Sequence, residues 1–418
     1  MGALVITGGK PLRGEIKVQG SKNSALPLLA AAILANGTTT FLNCPILRDV
    51  DNAGKILTCL GCRVRQEENT VTVDASGLSG YKIPDALMRE MRSSVIFLGA
   101  ILARARKAEL YMPGGCELGP RPIDLHLAAF RHMGVELDET GGRIRCEAAN
   151  MHAADIHLSF PSVGATENIM LAACGCVGTT RITNAAREPE IVDLQTYLQT
   201  LGYQVSGAGS SVITVAGCHT APARHVTHCV ISDRIAAGTY LCAAALTGGQ
   251  IVLRDTDPEQ YLPLCAKLEE MGCVLAYGDD RLKLESPCRL LPITAVKTMP
   301  YPGFPTDLQS PLMATTCFAN GASIFTENIF DSRYRHVPEL IRMGASIDVI
   351  GRVAVVHGGS KLHCADVHAT DLRGGAALVI ASLGAEGTST IHGTEHIDRG
   401  YENIESVLSD LGGTIRRI

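Results

Sequence analysis

Between Tyr111 and Asp124 the chain reads Tyr-Met-Pro-Gly-Gly-Cys-Glu-Leu-Gly-Pro-Arg-Pro-Ile-Asp, with three glycines and three prolines around Cys116. Proline removes backbone donors and glycine removes side-chain packing, so this stretch cannot run as a regular helix or central strand. It reads as a loop that presents a thiol. Arg121, five residues on, could stabilise a thiolate there or bind an anionic reactant. The chemistry open to such a thiol is nucleophilic attack or proton donation, and the plainer alternative is a loop cysteine with no duty.

Further candidates lie elsewhere. Gly20-Ser21-Lys22-Asn23 precedes an apolar run; Ser21 or Asn23 could cap a helix, and Lys22 with helix N–H groups could hold an anion. Arg92, Arg121, Arg333, Arg373 and Arg399 fall at element starts or turns. Singly each reads as a solvated cation, but several converging would favour a carboxylate or phosphate through their forked donors. Asp307 and Asp371 sit in equivalent settings, Thr306-Asp307-Leu308 and Thr370-Asp371-Leu372. Helix capping explains both cheaply, and the alternative is a carboxylate able to accept a proton from a substrate hydroxyl. Gly207-Ala208-Gly209 lacks the third glycine of a dinucleotide fingerprint, and no phosphate loop, His-Glu-x-x-His or nucleophile-elbow serine occurs. Cys59 and Cys62 form a lone Cys-x-x-Cys with no second pair, Cys174 and Cys176 read as packing residues, and the thirteen histidines form no compact metal-ligand pattern.

What must position these residues is a repeat. Six Leu-Gly or Met-Gly steps, with glycines at 61, 134, 202, 272, 344 and 412, each precede an alternating polar and apolar stretch, at intervals of 73, 68, 70, 72 and 68 residues. Upstream of each step the order is an apolar helix, a glycine, a β-rich segment, a polar turn and an amphipathic helix. In the first copy these are Leu26–Ala35, Gly37, Thr38–Leu42, Pro45–Asp49 and Val50–Leu60. The alternating stretch reads as a hairpin. Helices inside and sheets outside, or the reverse, would both satisfy the pattern; the small apolar first helices favour burial of helices. Ala3–Val18 reads as extra strands that complete the later repeats, with crossings near Gly20–Lys22 and Val230–Asp233.

Composition narrows the class. The 418 residues carry a net charge of −5, 37 basic against 42 acidic, so no global field favours nucleic acid or an acidic membrane. Apolar runs such as Ala25–Ala35 and Ala376–Leu383 are too short to span a bilayer, and no export signal is read at the start of the chain. Fifteen cysteines, an odd number spread along a large chain, fit thiols in a reducing cytoplasm better than a disulfide framework.

Over nearly its whole length the sequence resembles the enolpyruvyl transferases, in particular the branch that acts on UDP-N-acetylglucosamine. The resemblance rests on Lys22-Asn23, Met91-Arg92-Ser93, Pro113–Pro122, Ser162–Thr166, Phe304–Asp307, Asp371-Leu372-Arg373 and Asp398–Tyr401. It implies an α/β fold of two similar domains, each three βαβαββ repeats around buried helices, an inside-out barrel. The domains would be 22–230, carrying the loop cysteine, and 1–21 with 231–418, with reactants in the cleft between them. It implies transfer of the enolpyruvyl group of phosphoenolpyruvate to the sugar 3-hydroxyl of UDP-N-acetylglucosamine, releasing phosphate in early peptidoglycan synthesis, with no metal and no organic cofactor. By the same resemblance Cys116 protonates the methylene carbon and can form an adduct. Lys22, Arg121 and Arg399 clamp phosphoenolpyruvate, and Asp307 orients and deprotonates the sugar hydroxyl. Asn23, Arg92, Pro122, Ile123, Asp124, Leu125, Phe160, Pro161, Ser162, Val163, Gly164 and Ile329 join the nucleotide-sugar contacts, while Arg333, Asp371 and Arg373 organise the site. Phe160 departs from the version of the pattern with a basic residue there and could instead pack on uracil. The 3-phosphoshikimate branch and a non-catalytic nucleotide-sugar-binding scaffold are the rival readings.

Overall fold

The computed structural model describes residues 2–112, 123–218, 225–359 and 361–418, and the side chain of Arg92 also lies outside the described set. The six step glycines are helix ends. Gly61, Gly134, Gly202, Gly272, Gly344 and Gly412 all have positive φ, from 83° to 99°, the left-handed geometry that lets a chain leave a helix without a Cβ clash. They close the helices Arg48–Cys59, Asp124–His132, Pro189–Thr200, Leu262–Glu270, Val337–Arg342 and Ile404–Asp410.

After five of these helices the alternating stretch folds as an antiparallel hairpin, as in Arg63–Glu67 against Thr70–Asp74 and Ser346–Ile350 against Val353–His357. The sixth stretch, Thr414–Arg417, pairs instead with Leu4–Thr7, which also pairs with Thr388–His392. The beginning of the chain thus supplies a hairpin strand to the last repeat. Arg13–Lys17 supplies the fourth repeat with its edge strand, running parallel to Gln250–Arg254.

Each sheet keeps one order: a parallel edge strand, a central strand, then the hairpin. Thr38–Leu42 takes His225–Cys229 as its parallel neighbour, and Thr388–His392 takes Asp366–His368. Among the described residues the second repeat has three strands, with one parallel bridge from Lys82 to Glu109 where the fourth would run. Among the described residues the six sheets stay separate and none closes into a barrel.

The helices are inside. Lys22–Ala31, Phe97–Ala105 and Val163–Cys174 pack together, as do Arg234–Leu246, Gln309–Thr316 and Leu372–Gly384. Every residue of Arg234–Leu246 and Gln309–Thr316 is buried. Small side chains permit this: a Cβ on Gly99 would lie 2.1 Å from the Asn168 carbonyl oxygen of the facing helix. The helix expected to begin at Leu26 starts at Lys22, because Ser21 accepts a hydrogen bond from the Ser24 N–H and caps the helix there.

The chain divides into two compact units. One comprises residues up to Gln19 together with Ser232–Ile418; the other comprises the described residues between Gly20 and Ile231. Each has its own apolar core, the first including Leu4, Leu241, Leu312 and Leu378, the second Leu28, Phe97, Ile169 and Leu194. Among the described residues no helix is long and apolar enough to cross a membrane.

Candidate functional site

Cys116, Arg121 and Pro122 lie outside the described residues, as does the side chain of Arg92. The remaining candidates belong to the two units separately.

In the 20–231 unit, Lys22 opens a buried helix, and its Nζ lies 2.8 Å from Oδ2 of Asp49, a fully buried carboxylate in the first turn of Arg48–Cys59. Asp49 carries no signal in the sequence beyond that first-turn position. Asn23 and Ser24 follow. Ser24 Oγ donates to Asp193, whose other oxygen lies 2.8 Å from His228 Nε2, and Asp193 also accepts from the Ile231 N–H. One buried carboxylate therefore fixes both the helix start that carries Lys22 and the end of the unit at Ile231.

The two expected nucleotide-sugar segments of this unit meet through His126. Ile123, Asp124 and Leu125 lead into it at the start of Asp124–His132, and Ser162 caps Val163–Cys174 by accepting from the Ala165 N–H. Phe160 is 43 % exposed, and Pro161, Ser162, Val163 and Gly164 are half-buried. A Cβ on Gly164 would stand 3.3 Å from His126 Cε1. Asn168 sets the state of that ring. Its Oδ1 accepts from the Gly99 N–H at 2.7 Å, so its amide group must donate to the Val95 carbonyl and to His126 Nδ1, both at 2.8 Å. His126 is therefore held neutral with its proton on Nε2, and burial, opposed by the Asp124 carboxylate, brings its pKa down to about 4. Sequence reasoning missed this residue; a histidine at the start of a helix, directly after the expected contact segment, was the available signal.

In the other unit Asp307 sits between two guanidinium groups. Arg333 Nη2 donates to its Oδ1 at 2.8 Å, and Arg373 Nη2 donates to its Oδ2 at 3.0 Å. Both arginine side chains are almost fully buried, 1 % and 3 % exposed, whereas Asp307 keeps 26 % of its side chain accessible. Arg333 is aimed by a fork on the Thr306 carbonyl, at 3.1 and 2.9 Å. Burial works against the charge of Arg373, but the carboxylate of Asp307 and the Tyr401 hydroxyl hold its pKa above the usual arginine range. The guanidinium also lies over the Tyr401 ring.

The equivalence expected for Asp307 and Asp371 fails. Asp371 is a helix cap, accepting from the N–H groups of Arg373 and Gly374 at 3.0 and 2.9 Å. Asp307 lies inside a 3-10 turn, Thr306–Leu308, and its oxygens go to arginines. Glu327, another residue without a sequence signal, accepts from Thr306 Oγ1 and from the N–H groups of Ile329 and Phe330, so it sets the turn carrying Ile329. Arg399 is half-buried, between Asp398, which is gripped by both Nη atoms of Arg417, and Gly400, whose carbonyl accepts from Gln19 Nε2. Asp307, Arg333, Asp371 and Arg373 are thus brought together, and Arg399 lies on a braced segment of the same unit.

The described cysteines form no disulfide. Burial raises the thiols of Cys62 and Cys176 to about 11 and those of Cys146, Cys242, Cys265, Cys273 and Cys317 to about 12, which keeps them protonated.

A family described as EPSP synthase (3-phosphoshikimate 1-carboxyvinyltransferase) matches residues 6–408. UDP-N-acetylglucosamine 1-carboxyvinyltransferase 2 of Caldanaerobacter subterraneus subsp. tengcongensis is 50 % identical over 418 residues, covering 100 % of both chains. The chain belongs to the enolpyruvyl transferase family. A UDP-N-acetylglucosamine 1-carboxyvinyltransferase of a Psychrobacter species is 43 % identical to this enolpyruvyl transferase, over 100 % of it and 97 % of the relative. Among solved structures, the enolpyruvyl transferase NikO from Streptomyces tendae matches at a TM-score of 0.90 with 26 % identity, covering 100 % of this chain and 98 % of that one. An EPSP synthase from Acinetobacter baumannii shares the fold at a TM-score of 0.77 and 19 % identity, covering 100 % of each chain.

Proposed function

We propose that this enolpyruvyl transferase moves the enolpyruvyl group of phosphoenolpyruvate to the 3-hydroxyl of UDP-N-acetylglucosamine and releases phosphate, an early cytoplasmic step of peptidoglycan synthesis. Full-length relatives named for that reaction, at 50 % and 43 % identity, support this acceptor over shikimate 3-phosphate. The observation that carries the chemistry is Asp307, a partly accessible carboxylate locked between two buried arginines.

The reaction adds the sugar hydroxyl oxygen to C2 of phosphoenolpyruvate while a proton is delivered to its methylene carbon. Loss of a proton from the resulting methyl group and departure of phosphate then restore the double bond. Asp307 takes the hydroxyl proton: Arg333 and Arg373 each occupy one of its oxygens and fix its plane, leaving a remaining lone pair for the acceptor. Cys116 delivers the proton to the methylene carbon. Lys22, Arg121 and Arg399 bind the phosphate and carboxylate of the triply ionised donor, whose charge needs several cations once water is excluded. Asn23, Arg92, Pro122–Leu125, Phe160–Gly164 and Ile329 receive the nucleotide sugar, with His126 bracing Leu125 and Gly164 from beneath and Phe160 offering its exposed ring to uracil.

The test is phosphate release from phosphoenolpyruvate with UDP-N-acetylglucosamine or shikimate 3-phosphate as acceptor. Release with the nucleotide sugar alone is expected; release with shikimate 3-phosphate alone, or nucleotide-sugar binding with no release, overturns the assignment. Cys116→Asp should keep part of the activity that Cys116→Ala and Cys116→Ser lose, and equal rates for all three would remove Cys116 as the acid.

A further inference from the structure

Asp366, His368 and His392 converge on the surface of the Ser232–Ile418 unit, far apart in sequence but adjacent across one strand pair. Asp366–His368 runs parallel to Thr388–His392 in register, with His368 directly opposite His392. Alternation then puts Asp366 and His368, two residues apart, on the same face as His392. Val367 and Ile391 between them point inward and are fully buried, so the three polar side chains face out. The imidazoles stack with centroids 4.8 Å apart and an interplanar angle of 23°. His392 Nε2 lies 2.6 Å from Asp366 Oδ1, and one ligand atom from each of the three residues falls within 4.8 Å of the others.

We propose that these three residues form a surface site for a divalent late transition metal, taking two imidazole nitrogens and one carboxylate oxygen. That donor set suits zinc, nickel and copper and is poor for magnesium or calcium, which require mostly oxygen ligands. Metal–ligand bonds of about 2.0–2.2 Å place neighbouring ligand atoms roughly 3 to 3.5 Å apart. Small rotations of the exposed side chains close the present arrangement to that size, and the metal replaces the hydrogen bond between His392 and Asp366. The backbone is already fixed at both histidines: the His368 N–H donates to Glu339 Oε2 at 3.0 Å, and the His392 carbonyl accepts from the Ala369 N–H at 2.9 Å.

The place of the cluster gives it a consequence. Asp366–His368 is a three-residue edge strand that leads, through Ala369 and Thr370, to the cap Asp371 and to Arg373, which holds Asp307. Thr388–His392 leads, through the short helix Thr394–Ile397, to Asp398 and Arg399. A metal across His368 and His392 therefore pins together the strands from which both segments depart, in the manner of a staple on a sheet edge. It takes no part in the transfer chemistry, and its binding does not depend on the acceptor or donor proposed above.

The test is calorimetric titration of the full chain, first stripped with chelator, with nickel, for which imidazole is a suitable ligand. Wild-type protein is expected to bind one equivalent that is lost, or weakened at least about tenfold, in His392→Ala and in Asp366→Asn. His357→Ala serves as the control: His357 pairs with Asp348 at 2.8 Å on another sheet of the same unit, offering an exposed imidazole and carboxylate with no second histidine. It should bind as the wild type does. Nickel should also raise the melting temperature of the wild type and of His357→Ala but not of His392→Ala. Absence of binding by the wild type, or the same isotherm from all four proteins, overturns the proposal. A melting temperature measured without metal shows that each variant is folded.

Discussion

His126 should make the protein lose stability in mild acid, and its size can be worked from the site. An ordinary histidine titrates at about 6.5, whereas burial and the Asn168 amide hold this one to about 4 in the folded chain. The unfolded chain therefore binds a proton between these two values that the folded chain refuses. Above about pH 6.5 both states are neutral and the group contributes nothing to the slope. As pH falls through the window, stability drops by about 1.4 kcal/mol per unit, to a total of about 3 kcal/mol once both states are protonated. The perturbation is His126→Gln, which keeps an acceptor for Asn168 but cannot titrate. At about pH 7 the variant should be less stable by about 1 kcal/mol, the worth of an imperfectly replaced buried hydrogen bond. The two denaturant midpoints should meet at about pH 5.7, and below that the variant should be the more stable of the two. Nitrogen chemical shifts of the ring give a direct reading. A midpoint at or above 6.5, a proton found on Nδ1, or stability curves that run parallel with pH would refute the reasoning.

Three further outcomes follow from distances in the same sites. Arg373→Met removes one charge-assisted hydrogen bond from Asp307, worth about 1.5–3 kcal/mol, and should slow transfer by about ten- to a hundredfold; a phosphate-release rate equal to wild type would show that Arg333 alone aligns the carboxylate. Gly164→Ala puts a methyl 3.3 Å from His126 Cε1, and the resulting overpacking of about 1 kcal/mol should weaken nucleotide-sugar affinity roughly fivefold by calorimetry, with an unchanged Kd counting against His126 as the brace. Lys22→Met removes the ammonium 2.8 Å from the buried Asp49 carboxylate, so urea unfolding should show a loss of about 3–5 kcal/mol that Lys22→Arg largely restores; equal stability of both variants would mean that Asp49 does not depend on this cation.

The repeat was legible because helix exit leaves a mark on the sequence: a side chain is disfavoured at a left-handed position, so Gly61, Gly134, Gly202, Gly272, Gly344 and Gly412 recur at each turn. Burial of the first helices was legible for a similar reason, since only small residues let backbones approach as closely as Gly99 and Asn168 do. The site was legible as residue types rather than as an arrangement. Asp307 and Asp371 look alike in sequence because both precede apolar helices, and only the three-dimensional structure separates a residue that caps from one that is itself held. Asp49, Glu327 and Asn168 left little mark, and His126 only its place at a helix start, because what makes each important is a partner from another element. The cluster of Asp366, His368 and His392 escaped for the same reason: strand pairing, not spacing along the chain, brings the two histidines face to face.

Among the described residues, the strand Leu4–Thr7 pairs with Thr388–His392 and Thr414–Arg417 and with no nearer strand. On a ribosome it emerges well before its partners, which lie 381 residues or more downstream, as the Thr7 to Thr388 hydroxyl contact shows. At about 5–20 residues per second it waits roughly 20 to 75 s with both of its edges unpaired. By then the stretch from Gly20 to Ile231 has long emerged, and among the described residues its three sheets draw all their strands from within it. Biosynthesis therefore completes the unit that carries Lys22 and His126 first, while the unit that carries Asp307 closes only after Thr414–Arg417 has emerged.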